Sequence, residues 1–211
     1  SSENIFRYNE YSNISSLDPV FSSTLRNIWP CNQIFNGLVR MDNNLNVVPD
    51  IAETWTVSAD KKTYTFKIKN DIYFHESEYF ENGKSRNVNA FDFEYSFNRL
   101  IDNDVASPGA WVMNNVESFE AINDSIFEVH LYNEFNSFLD ILTMKYCSVV
   151  PKEVVQSLGN SFSKKPVGTG PFKFKRWDEN IKLVLIKNEN YHEFDQSGNR
   201  LPYLDAISTR F

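Results

Sequence analysis

Between residues 63 and 69 the chain alternates: Tyr64, Phe66 and Ile68 fall on one side, Thr63, Thr65, Lys67 and Lys69 on the other. A period of two marks a strand with one buried face. Residues 54–57 precede it across Ser58-Ala59-Asp60-Lys61-Lys62, so the two read as a hairpin. The alternation returns at 126–131, where Phe127, Val129 and Leu131 are interleaved with Glu128 and His130, and this run should pair with 116–122 about Asn123-Asp124. Further strands are expected at 5–8, 38–41, 72–74, 147–150, 171–177, 181–187 and 203–211.

Helical spacing is clearest after Asn89, a good N-cap, where Ala90, Phe93, Phe97, Leu100 and Ile101 form one stripe. Residues 22–35 carry Leu25, Ile28, Trp29 and Ile34 near the same period. Ser22 or Ser23 should cap that run, and Pro30 should kink it or split it in two. Shorter helices are expected at 135–142 and at 151–158, the latter opened by Pro151. Pro49 to Glu53 reads as a single helical turn. The fold class is therefore α+β, with more strand than helix. The flanks and the middle of the chain form separate sheets, which suggests two lobes, one of them discontinuous.

Length and composition narrow the function. At 211 residues the chain can bury about 70% of its unfolded surface and needs no metal or disulfide staple. Its 28 acids against 21 bases give a net charge of −7, which argues against a nucleic-acid binder and against docking on anionic lipid. The two cysteines, Cys31 and Cys147, form no disulfide framework; free buried thiols are the favoured state, with one bridge the alternative. No run of 18 apolar residues occurs, so no spanning helix is expected. The start, Ser1-Ser2-Glu3-Asn4, reads as a mature or trimmed end from which an export signal has been removed.

The search for catalytic chemistry is mostly negative. His75, His130 and His192 have no second His or Cys at metal-ligand spacing, so they are read as solvated or structural, and no cofactor is called for. There is no nucleophile elbow. Gly168-Thr169-Gly170-Pro171 lacks the Lys-Ser/Thr of a phosphate loop and reads as a tight turn into the next strand. Glu76, Glu78 and Glu81 read as a solvated acidic loop. The positive signal is aromatic. Phe, Tyr and Trp make up 15% of the chain, and Tyr11 and Trp111 lie on polar loops where they can grip a flexible ligand while backbone groups bond its main chain.

Read in order, the short motifs resemble those of the family 5 extracellular solute-binding proteins of ABC importers, the oligopeptide, dipeptide and nickel group. Leu17-Asp18-Pro19 matches an early Leu-Asp-Pro. Ile34-Phe35-Asn36-Gly37-Leu38 is similar to the family's I/L-Y/F-E-G-L, with Asn36 in place of Glu. Val48-Pro49-Asp50-Ile51-Ala52-Glu53-Thr54-Trp55-Thr56-Val57-Ser58 resembles P-x-L-A-E-S-W-x-V-S. Thr63 to Lys69 followed by Ile72-Tyr73-Phe74-His75, then Val88 to Arg99, Pro166 to Phe172, and Asn188-Glu189-Asn190-Tyr191 continue the series collinearly. The stretch from His75 to Val88 is longer than the family's short turn, and Glu76 replaces its Asp.

The resemblance implies a periplasmic-binding-protein-like fold of type II. Residues 1–38 and 164–211 would form an incomplete first lobe and 39–163 an inserted subdomain of mixed sheet and helix. It further implies an opposite lobe outside this chain and a first-lobe sheet that is open near Phe211. The implied function is capture of peptides, or of nickel chelate, haem or oligosaccharide, by a monomer. That monomer would act in the periplasm or at the outer face of the cytoplasmic membrane, either free or held by a lipid anchor at its N-terminus, and would deliver its cargo to an ABC transporter permease. Loop position singles out Tyr11, Ser12, Asn13, Trp111 and Met113 as ligand contacts. The competing classes are a secreted glycoside- or peptide-active hydrolase and an adhesion module with a complete fold.

Overall fold

The computed structural model describes residues 4–211; the trimmed end expected at Ser1-Ser2-Glu3 lies outside them. The chain begins with β1 (Ile5–Asn9), a 3-10 turn at Pro19–Phe21, and α1 (Leu25–Ile34). There follow β2 (Val39–Met41), β3 (Val47–Pro49), β4 (Ala52–Val57), β5 (Thr63–Ile68) and α2 (Ala90–Ile101). A 3-10 turn at Ala110–Met113 leads to β6 (Val116–Asn123), β7 (Ile126–Leu131), α3 (Phe138–Leu142) and α4 (Lys152–Leu158). The last elements are β8 (Phe172–Asp178), β9 (Lys182–Lys187) and β10 (Ala206–Arg210).

The strands form three sheets, ordered β1-β10-β9-β8, β2-β3 and β4-β5-β7-β6. β1 and β10 run parallel, and every other pair is antiparallel. The alternation of β5 does what the pattern demands: Tyr64, Phe66 and Ile68 are buried, and Phe66 sits opposite Phe127 of β7. α2 lies on that buried face. Asn89 caps it with a complete capping box, accepting from the Asp92 N–H while the Asp92 carboxylate accepts from its own. Its stripe puts Phe97 edge-on to Phe127 at 5.3 Å and to Phe119 at 5.6 Å. Each such phenylalanine contributes about 2–3 kcal/mol by burial. Ile101, expected on the same stripe, turns outward. A single hydrophobic core runs from Ile14 through Leu17, Phe35, Phe93 and Phe162 to Ile207.

Several local expectations yield to tertiary hydrogen bonding. Residues 49–53 are not a helical turn: Pro49 ends β3, Asp50 and Ile51 bend, and Ala52 opens β4, while the N–H groups of Ile51 and Ala52 donate to the Gly37 and Leu38 carbonyls at 3.1 and 3.0 Å and so close no turn. Residues 72–74 make one isolated bridge, Tyr73 to Asn87, rather than a strand. Cys147 ends a 3-10 turn, after which the Val149 N–H donates to the Asn36 carbonyl and the Val150 N–H to the Ser96 hydroxyl, so 147–150 is a turn end and an irregular segment rather than a strand. α1 starts after Thr24 rather than after Ser22 or Ser23, and it runs unbroken through Pro30. β10, expected at an open edge, is an inner strand between β1 and β9; the outer strands of that sheet are β1 and β8. The parallel addition of β1 covers the edge that the resemblance left free. Cys31 and Cys147 are free and buried, as their composition suggested, and burial pushes the Cys147 thiol up to about 12.

Candidate ligand-binding cleft

The family-like motifs assemble into buried polar knots that position the cleft. Asp18 caps the turn at Pro19–Phe21, accepting from the Val20 N–H at 3.2 Å, and Arg99 in the last turn of α2 donates to the same Asp18 Oδ1 at 2.9 Å. Both side chains are nearly fully buried, at 3% and 11% exposure, and Arg99 also lies over the Phe162 ring. A second knot joins four segments. The Asn36 amide donates to Asp50 at 3.1 Å, the Thr169 hydroxyl donates to Asn36 Oδ1 at 2.8 Å, and the Asn188 amide donates to the Gly170 carbonyl at 2.9 Å. His75 completes it: its Nε2–H donates to the Gly170 carbonyl at 2.9 Å and its Nδ1 accepts from the Gly168 N–H. Burial pulls its pKa down to about 4, so the ring is neutral.

Gly168 and Gly170 are small because α1 ends against them. A Cβ on Gly168 would stand 2.1 Å from the Ile34 carbonyl oxygen, and one on Gly170 would stand 2.4 Å from that of Gln33. The tight turn expected here is a close backbone approach.

At the Asp18–Arg99 pair opens a cleft of about 1090 Å³, lined by residues that include Ser15, Phe21, Ser23, Tyr95, Val105 and Pro108. None of the five residues singled out from the sequence lines it, but both of their loops adjoin it. The wall passes through Ser15, two residues beyond Asn13, and through Pro108, three before Trp111. Tyr11 is 95% exposed where the chain leaves the carboxyl end of β1. The Ser12 hydroxyl accepts from Arg26, and the Asn13 amide bonds Asn180 in the β8–β9 turn. Trp111 is half exposed, whereas Met113 is buried in the core. Among the described residues no hydrogen bond or aromatic contact joins the first loop to Trp111.

One apolar side chain near the cleft escaped the sequence pattern. Leu25, placed by its spacing on the buried stripe of α1, is 84% exposed two residues after Ser23. Spacing alone cannot separate it from Ile28, so no signal marked it. The groups of His and carboxylate able to hold a metal, Asp50–His192–Glu193 and Glu120–Glu128–His130, do not line the cleft.

This architecture is that of the peptide-binding periplasmic proteins, of which the chain forms a part. Residues 46–211 match the model described as bacterial extracellular solute-binding proteins, family 5 Middle, and the chain belongs to that family. Di/tripeptide-binding protein 1 of Pseudomonas aeruginosa (strain UCBPP-PA14) is 28% identical over 180 residues, which are 77% of this chain and 33% of that protein. Dipeptide-binding protein DppE of Bacillus subtilis (strain 168) is 28% identical over 212 residues, covering 92% of this chain and 38% of its own length. The structure of DppA from Helicobacter pylori, in complex with the peptide STSA, superposes with a TM-score of 0.87 at 28% identity, over 99% of this chain and 42% of that one. The chain thus spans well under half the length of the relatives it matches.

Proposed function

We propose that this chain is the cargo-capturing part of an ABC importer's extracytoplasmic binding component, acting on short peptides and handing them to a membrane permease. What carries the reading is the agreement between the family match over residues 46–211 and relatives that are themselves named for di- and tripeptides. In this reading, residues 1–38 and 164–211 form one lobe and 39–163 a subdomain upon it, and the protein works as a monomer in the periplasm or on the outer face of the cytoplasmic membrane. Cargo bound between lobes favours the closed form, which the permease recognises.

The chemistry suits holding rather than cleaving. An extended peptide offers a main chain to pair and side chains that need tolerant pockets. β1 and β10 are the parallel pair of their sheet, and the loop of Tyr11, Ser12 and Asn13 leaves the carboxyl end of β1, the end where open sheets take their ligands. Tyr11 and Trp111 supply exposed aromatic faces on either loop, Ser12 and Asn13 supply polar groups, and Met113 is the buried end of the turn that carries Trp111.

The test is thermal unfolding of the full-length protein against di-, tri- and oligopeptides, nickel chelates, haem and oligosaccharides. A cargo present at 100 times its Kd adds about 2.7 kcal/mol. Stabilisation by peptides supports the proposal. Stabilisation by another panel alone changes the cargo, and hydrolysis of any of them would move the protein to a different class.

A further inference from the structure

We propose that Asp50, His192 and Glu193 form a site for a zinc-class divalent cation, independent of the cargo cleft. Their donor atoms all lie within 4.8 Å of one another, although the first is more than 140 positions from the other two (no spacing motif could have joined them). Asp50 is 2% exposed, and the His192 side chain is 5% exposed. Among the described residues the buried His192 Nε2 atom has no hydrogen-bond partner, and it faces Asp50 Oδ1 at 3.4 Å. That separation is too long and misdirected for a good hydrogen bond. It is close to the edge of a tetrahedron whose arms are about 2.1 Å, the length of zinc–nitrogen and zinc–oxygen bonds. An imidazole nitrogen and two carboxylates are an ordinary donor set for such an ion, with water in the fourth position.

The surroundings are built to orient the donors. The Asn36 amide straddles the Asp50 carboxylate, donating to Oδ2 at 3.1 Å and to Oδ1 at 3.3 Å, so the longer contact at Oδ1 is the one a metal would displace, and Thr169 in turn fixes Asn36. The cations that oppose binding are Arg40, whose Nε is 3.1 Å from Glu193 Oε1, and Lys145, whose charge acts on Asp50. The second group of donors, Glu120, Glu128 and His130, is different in kind. It lies on an open sheet face, and both of its imidazole nitrogens are already engaged, Nε2 by Glu128 at 2.9 Å and Nδ1 by the Thr63 hydroxyl at 3.1 Å. A cation at Asp50–His192–Glu193 would tie the segment after β3 to the long connection before β10.

The experiment uses full-length protein carrying no polyhistidine tag, stripped with chelator and titrated with Co2+ and then Zn2+ near neutral pH. The expected result is one equivalent of Co2+ with the intense visible bands of a four-coordinate ion, displaced stoichiometrically by Zn2+. His192→Gln and Asp50→Asn should each weaken Zn2+ by about tenfold or more, with far-UV circular dichroism confirming that they fold. Arg40→Gln, by removing a competing charge, should tighten it. Absence of any one-to-one binding to the wild type overturns the proposal. So does binding that survives His192→Gln, or that is lost instead in His130→Gln.

Discussion

Replacing Arg99 by methionine keeps most of the stem that packs on Phe162 and removes the guanidinium that neutralises Asp18. The charge centres of a bidentate pair stand about 4 Å apart, an attraction of about 4 kcal/mol at an effective dielectric constant near 20. Asp18 remains 3% exposed, with the Val20 N–H as its remaining side-chain donor. A stranded buried carboxylate of this kind costs about 3–5 kcal/mol. The comparison is Lys164→Met, which breaks a pair with Glu179 whose side chains are 59% and 55% exposed; such pairs contribute about 0–1 kcal/mol. Urea titrations of the full-length protein, followed by tryptophan fluorescence, give both differences from the midpoints provided the slope is unchanged. The double variant Asp18→Asn/Arg99→Met separates the causes. Asparagine still caps the Pro19–Phe21 turn and no charge is left buried, so most of the loss should return. The reasoning is refuted if Arg99→Met costs no more than Lys164→Met, or if the double variant is as unstable as the single one.

Gly168→Ala must push a Cβ into the Ile34 carbonyl, so it should cost at least the ~1–3 kcal/mol of an overfilled core. Gly83→Ala, with φ of 64° and open space around it, should cost about 1 kcal/mol, and denaturation midpoints rank the two. Tyr11→Ala and Trp111→Ala should leave unliganded stability within about 0.5 kcal/mol while reducing the peptide-dependent thermal shift; unchanged peptide binding in both would remove them from the site. His75 carries a pH signature. Its pKa falls from the ordinary 6.5 to about 4 on folding, so between those values the unfolded chain holds the extra proton. Stability is therefore full above about pH 6.5 and declines by about 3 kcal/mol as the pH approaches 4. An acid limb of the same depth in His75→Gln would contradict this.

The elements with one strong period were legible because a single cause made them. The hairpin of β4 and β5, the pairing of β6 and β7, and α2 behind Asn89 each follow from burying one face. The misreadings fall where distant backbone supplied the hydrogen bonds. Pro49 to Glu53 has the local look of a helical turn, and only the arrival of Gly37 and Leu38 makes it a bend between two strands. The interior position of β10 depends on β1, just over 200 positions earlier, and no local window along the chain contains both. For the cleft, sequence position found the flanking loops through Tyr11 and Trp111. It could not find the walls, because Ser15, Tyr95 and Pro108 meet only in the fold.

The motifs that made the chain recognisable turn out to be its buried polar contacts. An Asp at 3% exposure is tolerable only with a charged partner held in place, which couples Asp18 to Arg99 across 81 positions. The same constraint links Asn36 to Asp50 and Thr169, and His75 to Gly168 and Gly170. Such residues report the scaffold, because each answers to another part of the chain rather than to the cargo. Tyr11 and Leu25, exposed at 95% and 84%, are held by little among the described residues, and that freedom is what a surface needs if one framework is to serve different cargoes. The framework can therefore be assigned from the string of motifs, while the identity of the cargo has to be sought on the exposed loops beside the cleft and measured there.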